Sequence, residues 1–301
     1  MKNLKWMLLI LLVITGVMLA QRGDDFWGGG RGYGRRGFRG GGNNEMYDTP
    51  RQIPQHAVDE NGELQETPNW TNAPGFEKDV FTFLRIKRSG GGWSGGAWDT
   101  DSPDSDLNLS WRLSTLTSLK VNPDGRFLRL TEKELVNYPF IYMVEPGSLE
   151  FDKSEAEAMR KYLLNGGFVW FDDFWGESEW NNMAREMKKA FPERDWVELP
   201  LTNQLYHCVF DIKAKEQVPN VRNGNARQFY PDAPTWEKGG REVHHRVIFD
   251  DKGRIMAFAT FNSDNGDGWE WEGNNHFYFE HFAEKIAYPL AINVIFYTMT
   301  H

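Results

Sequence analysis

Acidic side chains gather where the apolar segments of this chain end. The run FVWF (168–171) leads directly into Asp172 and Asp173, and FIYMV (140–144) leads into Glu145. IMAFATF (255–261) is followed by NSDNGDG, which carries Asn262, Asp264 and Asp267. The glycine-rich loop after FTFLRIK adds Asp99, Asp101 and Asp106. In an open α/β sheet, ligands bind at the carboxyl ends of the strands, so these residues are candidates for one site. Carboxylate oxygens are the ligands that hard divalent cations take. Asp172, Asp264 and Asp267 are therefore candidate ligands for Ca²⁺ or Mg²⁺, the one cofactor the acidic residues suggest. Paired carboxylates can also do acid–base work on a sugar or an amide, with Asp173 and Glu145 as the candidates. The same residues have structural uses. An Asp after a strand commonly caps the next helix, NSDNGDG has turn chemistry throughout, and 262–268 lacks the spacing of an EF-hand and its bidentate Glu.

Aromatic residues stand beside these acids. Trp175 follows the 172–173 pair, and Trp269 and Trp271 follow the acidic loop; Trp93, Trp98 and Trp236 also fall in loops. A flat ring next to a carboxylate suits a carbohydrate. The candidate ligand-binding set is thus Asp172, Asp173, Trp175, Asn262, Asp264, Asp267 and Trp269. Tryptophan equally serves protein interfaces or pins a loop to the core. His244 and His245 are adjacent on an expected strand, so they face opposite ways and cannot chelate one metal as a simple pair. Cys208, in LYHCVF, reads as a structural thiol.

The elements that must position these groups follow from periodicity. Residues 81–87 alternate apolar and polar and read as a strand. A helix is expected over 107–119 and a strand over 126–130. FIYMV and FVWF are short apolar runs, as in strands buried on both faces. Between them Asp152 caps a helix that runs to about Leu164, with Ala156, Met159 and Leu163 on one face and Asn165-Gly166-Gly167 ending it. After Gly176, Trp180, Met183, Ala184, Met187 and Phe191 fall at helical spacing. The β-α-β-α order of 140–191 implies a parallel sheet. Segments 243–249 and 255–261 flank Asp250-Asp251-Lys252-Gly253 and read as an antiparallel hairpin. Residues 276–300 read as a helix in which Pro289 makes a kink or starts the last section. Its apolar end is too short for a membrane span and suits a buried helix.

The chain divides by composition. Lys2 and Lys5 precede a 14-residue, mostly apolar stretch closed by Ala20, the pattern of a secretory signal over 1–20. Residues 21–75 are polar and include the Arg/Gly tract GGGRGYGRRGFRGGG, a flexible linker with little to bury. The protein is therefore expected to be exported, to the periplasm or cell envelope, with membrane contact only through an uncleaved N-terminus. One cysteine in 301 residues excludes an internal disulfide and any multi-cysteine zinc or iron–sulfur site. Residues 1–75 carry 8 basic and 8 acidic side chains, so the whole net charge of −9 lies on 76–301. Such a surface repels polyanions, which argues against a nucleic-acid partner and leaves an envelope protein or a glycan.

The segments FTFLRIKR, DSPDSDLNLSWRL (101–113), YPFIYM (138–143), YLLNGGFVWFDDFWG (162–176) and FNSDNGDGW (261–269) together resemble an uncharacterised bacterial family. It is a domain of unknown function within the class I glutamine amidotransferase-like superfamily. The resemblance implies a flavodoxin-like three-layer α/β sandwich over 76–301, with a mainly parallel central sheet and the C-terminal antiparallel hairpin, and it implies no established activity. In true class I amidotransferases the corresponding strand leads into an elbow bearing a nucleophilic Cys. Here that turn reads Asp172-Asp173-Phe174-Trp175. The expectation is a non-catalytic ligand- or partner-binding domain; the alternative is a glycan or amide hydrolase using strand-end carboxylates.

Overall fold

The computed structural model describes residues 71–75, 79–88, 98–271 and 275–301. The expected signal over 1–20, most of the linker and Trp93 lie outside the described residues. The described chain is a mixed α/β domain built on one seven-stranded sheet. Its strands are β1 (Leu84–Ile86), β2 (Arg126–Leu128), β3 (Phe140–Val144), β4 (Phe168–Asp172), β5 (Val197–Glu198), β6 (His244–Phe249) and β7 (Ile255–Phe261). The order is β2-β1-β3-β4-β7-β6-β5. The first five positions are parallel, while β7–β6 and β6–β5 pair antiparallel. Seen as 2-1-3-4 with β7 fifth, the parallel part is consistent with a flavodoxin-like fold, whose chain reverses its direction of strand addition between β1 and β3.

The helices are α1 (Asp104–Leu116), α2 (Lys153–Leu164), α3 (Gly176–Ala190), α4 (Val221–Phe229), α5 (Asn265–Glu270), α6 (His276–Tyr278) and α7 (Tyr288–Thr300). A π-helical stretch, Phe279–Ala287, joins the last two. Strand alternation sends Phe140, Tyr142, Phe168, Trp170 and Phe258 to one face, where they pack with Leu109 and Leu113 of α1, Trp269 of α5 and Ala291 and Ile295 of α7. Ile141, Met143, Val169, Phe171 and Ala257 point the other way, against Met159 and Leu163 of α2 and Met183 and Met187 of α3. β3, β4 and β7 are buried along their whole length, as strands covered on both faces must be.

α2 starts at a complete capping box. Asp152 Oδ1 accepts from Glu155 N, and Glu155 Oε2 accepts from Asp152 N. α1 begins three residues earlier than expected and ends three earlier. The first strand shortens to Leu84–Ile86, with Phe81 joined only by a bridge to Val121. The C-terminal helix is divided as Pro289 suggests: α7 begins at Tyr288, so the missing proline N–H falls in its first turn. α7 is largely buried, and among the described residues no helix is long and apolar enough to cross a membrane.

Candidate functional site

The parallel strands end level with one another. Val144 is in register with Asp172, and Phe171 with Ala259, so Glu145, Asp173 and Asn262 emerge side by side beyond β3, β4 and β7. All three have left-handed backbones, at φ 46°, 53° and 63°, and so does Asp101 in the loop ahead of α1, at φ 62°. Asp and Asn accept this conformation most readily of the non-glycine residues; each such position still costs of order 1 kcal/mol. The local backbone is tied across segments: Glu145 N donates to Asp172 O, Asp173 N to Ser263 O, and Asn262 N to Phe174 O.

Arg85, in the middle of β1, holds the fourth segment in place. Its fully buried guanidinium donates to the carbonyls of Trp98 and Thr100, to Ser105 Oγ and to both oxygens of Asp106 in the first turn of α1. The Asp106 carboxylate offsets the desolvation that would otherwise disfavour the charge. Residues 98–106 are thereby drawn over the ends of the strands, which places Asp101 next to α5.

The sequence candidates separate by environment. Asp172, fully buried, accepts from Thr260 Oγ1 and Asn265 Nδ2 at Oδ1, and from Tyr142 Oη, Asn265 N and Gly266 N at Oδ2. Both of its oxygens are therefore engaged in holding the β7–α5 turn. Burial pushes its carboxyl up while these donors pull it back. Asp173 is half-buried. Its Oδ1 accepts from Trp175 Nε1 at 2.8 Å, and burial, then Glu145, drives its carboxyl well above the usual range. Glu145 accepts from Thr100 Oγ1 at 3.0 Å and is itself raised by burial.

Asn262 bridges two loops: Oδ1 accepts from Gly176 N and Nδ2 donates to Glu242 O. Asp264 caps α5 by accepting from Asp267 N, and Asp267 Oδ2 accepts from Val221 N at 2.6 Å. The two tryptophans of the candidate set are buried. Trp269 packs its ring on Phe83, Tyr142 and Trp170, and Trp175 is 2% exposed, so both rings lie in the interior and neither opens a face to solvent. Trp98 is half-buried against Phe127.

The structure adds residues that sequence reasoning did not single out: Arg85, Tyr142, Thr260, Asn265, Gly266 and Glu270. Oxygens of Asp101, Asp267 and Glu270 lie within 4.8 Å of one another. Burial and then Asp267 push the Glu270 carboxyl up to about 8, and burial followed by Asp267, Glu270 and Asp173 raises Asp101 well above its ordinary range. The only sequence signal for Arg85 was a charged residue at the centre of an apolar strand.

His244 and His245 do face opposite ways. His244 stacks on Phe261 and lies 3.3 Å from Glu198, while buried His245 meets Tyr206 and Phe258. Cys208 is half-buried, with Sγ against the carbonyls of Leu205 and Asn293 and its thiol pushed up by burial.

Fold and site together define a mixed α/β domain with a mostly parallel seven-stranded sheet and a row of polar, left-handed residues at the strand ends. Residues 82–299 match the model of the family described as DUF4159, a domain of unknown function, and the chain belongs to that family. No curated protein matches the chain.

Proposed function

We propose that this chain is an exported, non-catalytic binding domain on a class I glutamine amidotransferase-like scaffold. It takes a ligand or partner of the cell envelope at the carboxyl ends of β3, β4 and β7. The observation that carries this reading is the coincidence of backbone strain with polar side chains. Among the described residues five non-glycine positions have positive φ, and four of them are Asp101, Glu145, Asp173 and Asn262. Strained positions persist where the surrounding structure holds them for use, and these four face the place where open α/β sheets bind ligands.

The β4–α3 turn supports the non-catalytic part. It carries Asp172, Asp173, Phe174 and Trp175 where an amidotransferase has its nucleophile, and Cys208 is turned towards backbone carbonyls elsewhere. The acidic lining favours a ligand rich in hydrogen-bond donors or positive charge.

Thermal unfolding of the full chain against envelope glycan fragments and basic envelope peptides tests the reading. A ligand at about 100 times its Kd adds about 2.7 kcal/mol, or roughly 5–10 °C in Tm for a domain of this size. The shift should vanish in Asp173→Asn, with no turnover of the ligand. A second reading, a glycan or amide hydrolase, is favoured by one feature: Asp173 and Glu145 interact and both are held above the usual carboxylate range. Turnover abolished by Asp173→Asn would replace the first reading with this one.

A further inference from the structure

We propose that Asp101, Asp267 and Glu270 form a Ca²⁺ site between the loop ahead of α1 and helix α5. It deepens the binding role proposed above, yet its test reads the cation alone and so succeeds or fails separately. Asp267 and Glu270 are three residues apart and share one face of α5. Asp101 reaches the same point from a segment more than 160 positions away, and one oxygen from each carboxylate lies within 4.8 Å of the others. Oxygens bound to one Ca²⁺ at about 2.4 Å can lie up to about 4.8 Å apart, and these three fall within that limit. Mg²⁺ dehydrates reluctantly and is usually held by one or two carboxylates with several waters, so a set of three protein carboxylates suits Ca²⁺ better.

Three charges brought together in this way are not by themselves a site; two further features point to a ligand. Asp101 Oδ2 is buried and has no hydrogen-bond donor among the described residues, and the same holds for Oδ1 of Asn265, a fully buried residue whose amide nitrogen is committed to Asp172. Buried oxygen acceptors without donors are rare, and an ion is among the few things that explain them. Space for Asp101 is also reserved. A Cβ on Gly266 would stand 2.2 Å from Asp101 Oδ2 and 3.2 Å from Tyr142 Oη, so only glycine at this point of α5 lets the carboxylate in. Of the acids that the sequence suggested for a metal, Asp267 belongs to this set. Asp172 has both oxygens occupied by five donors, and Asp264 caps α5.

The experiment is calorimetric titration of the full chain, stripped with EDTA, with CaCl₂ and separately with MgCl₂. It is repeated on Asp101→Asn, Glu270→Gln and a control, Asp195→Asn, whose exposed carboxylate pairs with Lys188 near the end of α3. One Ca²⁺ per chain is expected, bound more tightly than Mg²⁺, with the affinity reduced at least tenfold in the first two variants and unchanged in the control. Tb³⁺ supplies an independent readout, because Trp269 and Trp271 flank Glu270 and should sensitise its luminescence in the wild type but not in Glu270→Gln. Circular dichroism verifies that each variant is folded. Absence of Ca²⁺ binding at millimolar concentration, or folded variants that bind as the wild type does, would overturn the proposal.

Discussion

The hydroxyl of Tyr142 donates to Asp172 Oδ2 over 2.8 Å, joining the centre of β3 to the last residue of β4. Four more donors converge on the same carboxylate, from Thr260, the side chain and backbone of Asn265, and Gly266. Asp172 is thus the knot that fixes α5 to the sheet. Replacing it with Asn exchanges one acceptor for a donor, which must then face buried O–H or N–H groups. The Asp172→Asn chain should lose on the order of 2–4 kcal/mol, and Tyr142→Phe about 1 kcal/mol, in urea unfolding. An unchanged midpoint for Asp172→Asn would mean that these donors find other partners.

Asp173, one residue on, should behave oppositely. Burial and Glu145 raise its carboxyl in the folded chain. Its contribution to stability is therefore complete below the ordinary carboxylate pKa and declines as pH rises towards the raised value. Asn escapes that decline and keeps the oxygen that Trp175 Nε1 uses. Asp173→Asn should match the wild type near pH 4 and be more stable than it at neutral pH. Urea midpoints at the two pH values decide this, and a neutral-pH loss of stability would contradict it.

This division between adjacent aspartates marks how far the sequence can be read. FIYMV, FVWF and IMAFATF announce central strands because residues covered on both faces must all be apolar, and the Asp152–Glu155 spacing announces the start of α2. Such signals are local. β5 is two residues long, and α4, VRNGNARQF, lacks an apolar stripe, so neither leaves a periodic trace. The site is harder still. That acids cluster at strand ends is visible in the chain, but Arg85 acts through residues 98–106, and Asp101 meets α5 only once the sheet is assembled. Trp269 reads as a loop residue beside acids and turns out to fill the core, because α5 packs its ring onto Tyr142 and Trp170.

Gly266 offers a test in which two effects compete. In a helix interior, alanine ordinarily gains up to about 1 kcal/mol over glycine. Here the added methyl would meet the Asp101 carboxylate at 2.2 Å, and that carboxylate must move aside. Gly266→Ala should therefore fail to gain stability and should weaken Ca²⁺ binding at least tenfold, while far-UV circular dichroism stays unchanged. A more stable variant that binds Ca²⁺ normally would show that Asp101 has room to spare.

His245 supplies the acid limit of the fold. Burial first, then the charges of Lys215 and His244, lowers its pKa to about 3 from an ordinary value near 6.5. It is held neutral at 2.9 Å from the Tyr206 hydroxyl. The unfolded chain protonates this imidazole below about 6.5 while the folded chain resists down to about 3. The stabilisation is therefore present above 6.5 and is lost progressively as pH falls through that window, by several kcal/mol in all. The raised carboxyls of Asp101, Asp173 and Glu270 act in the reverse sense, gaining stability towards low pH, but they are common to wild type and variant. The difference in urea-unfolding free energy between wild type and His245→Phe isolates the imidazole. The variant should begin about 1 kcal/mol or more less stable near pH 7, since Tyr206 loses its partner. The gap should then narrow and reverse by pH 4. A gap that stays constant with pH would mean that the folded chain protonates His245 as readily as the unfolded one.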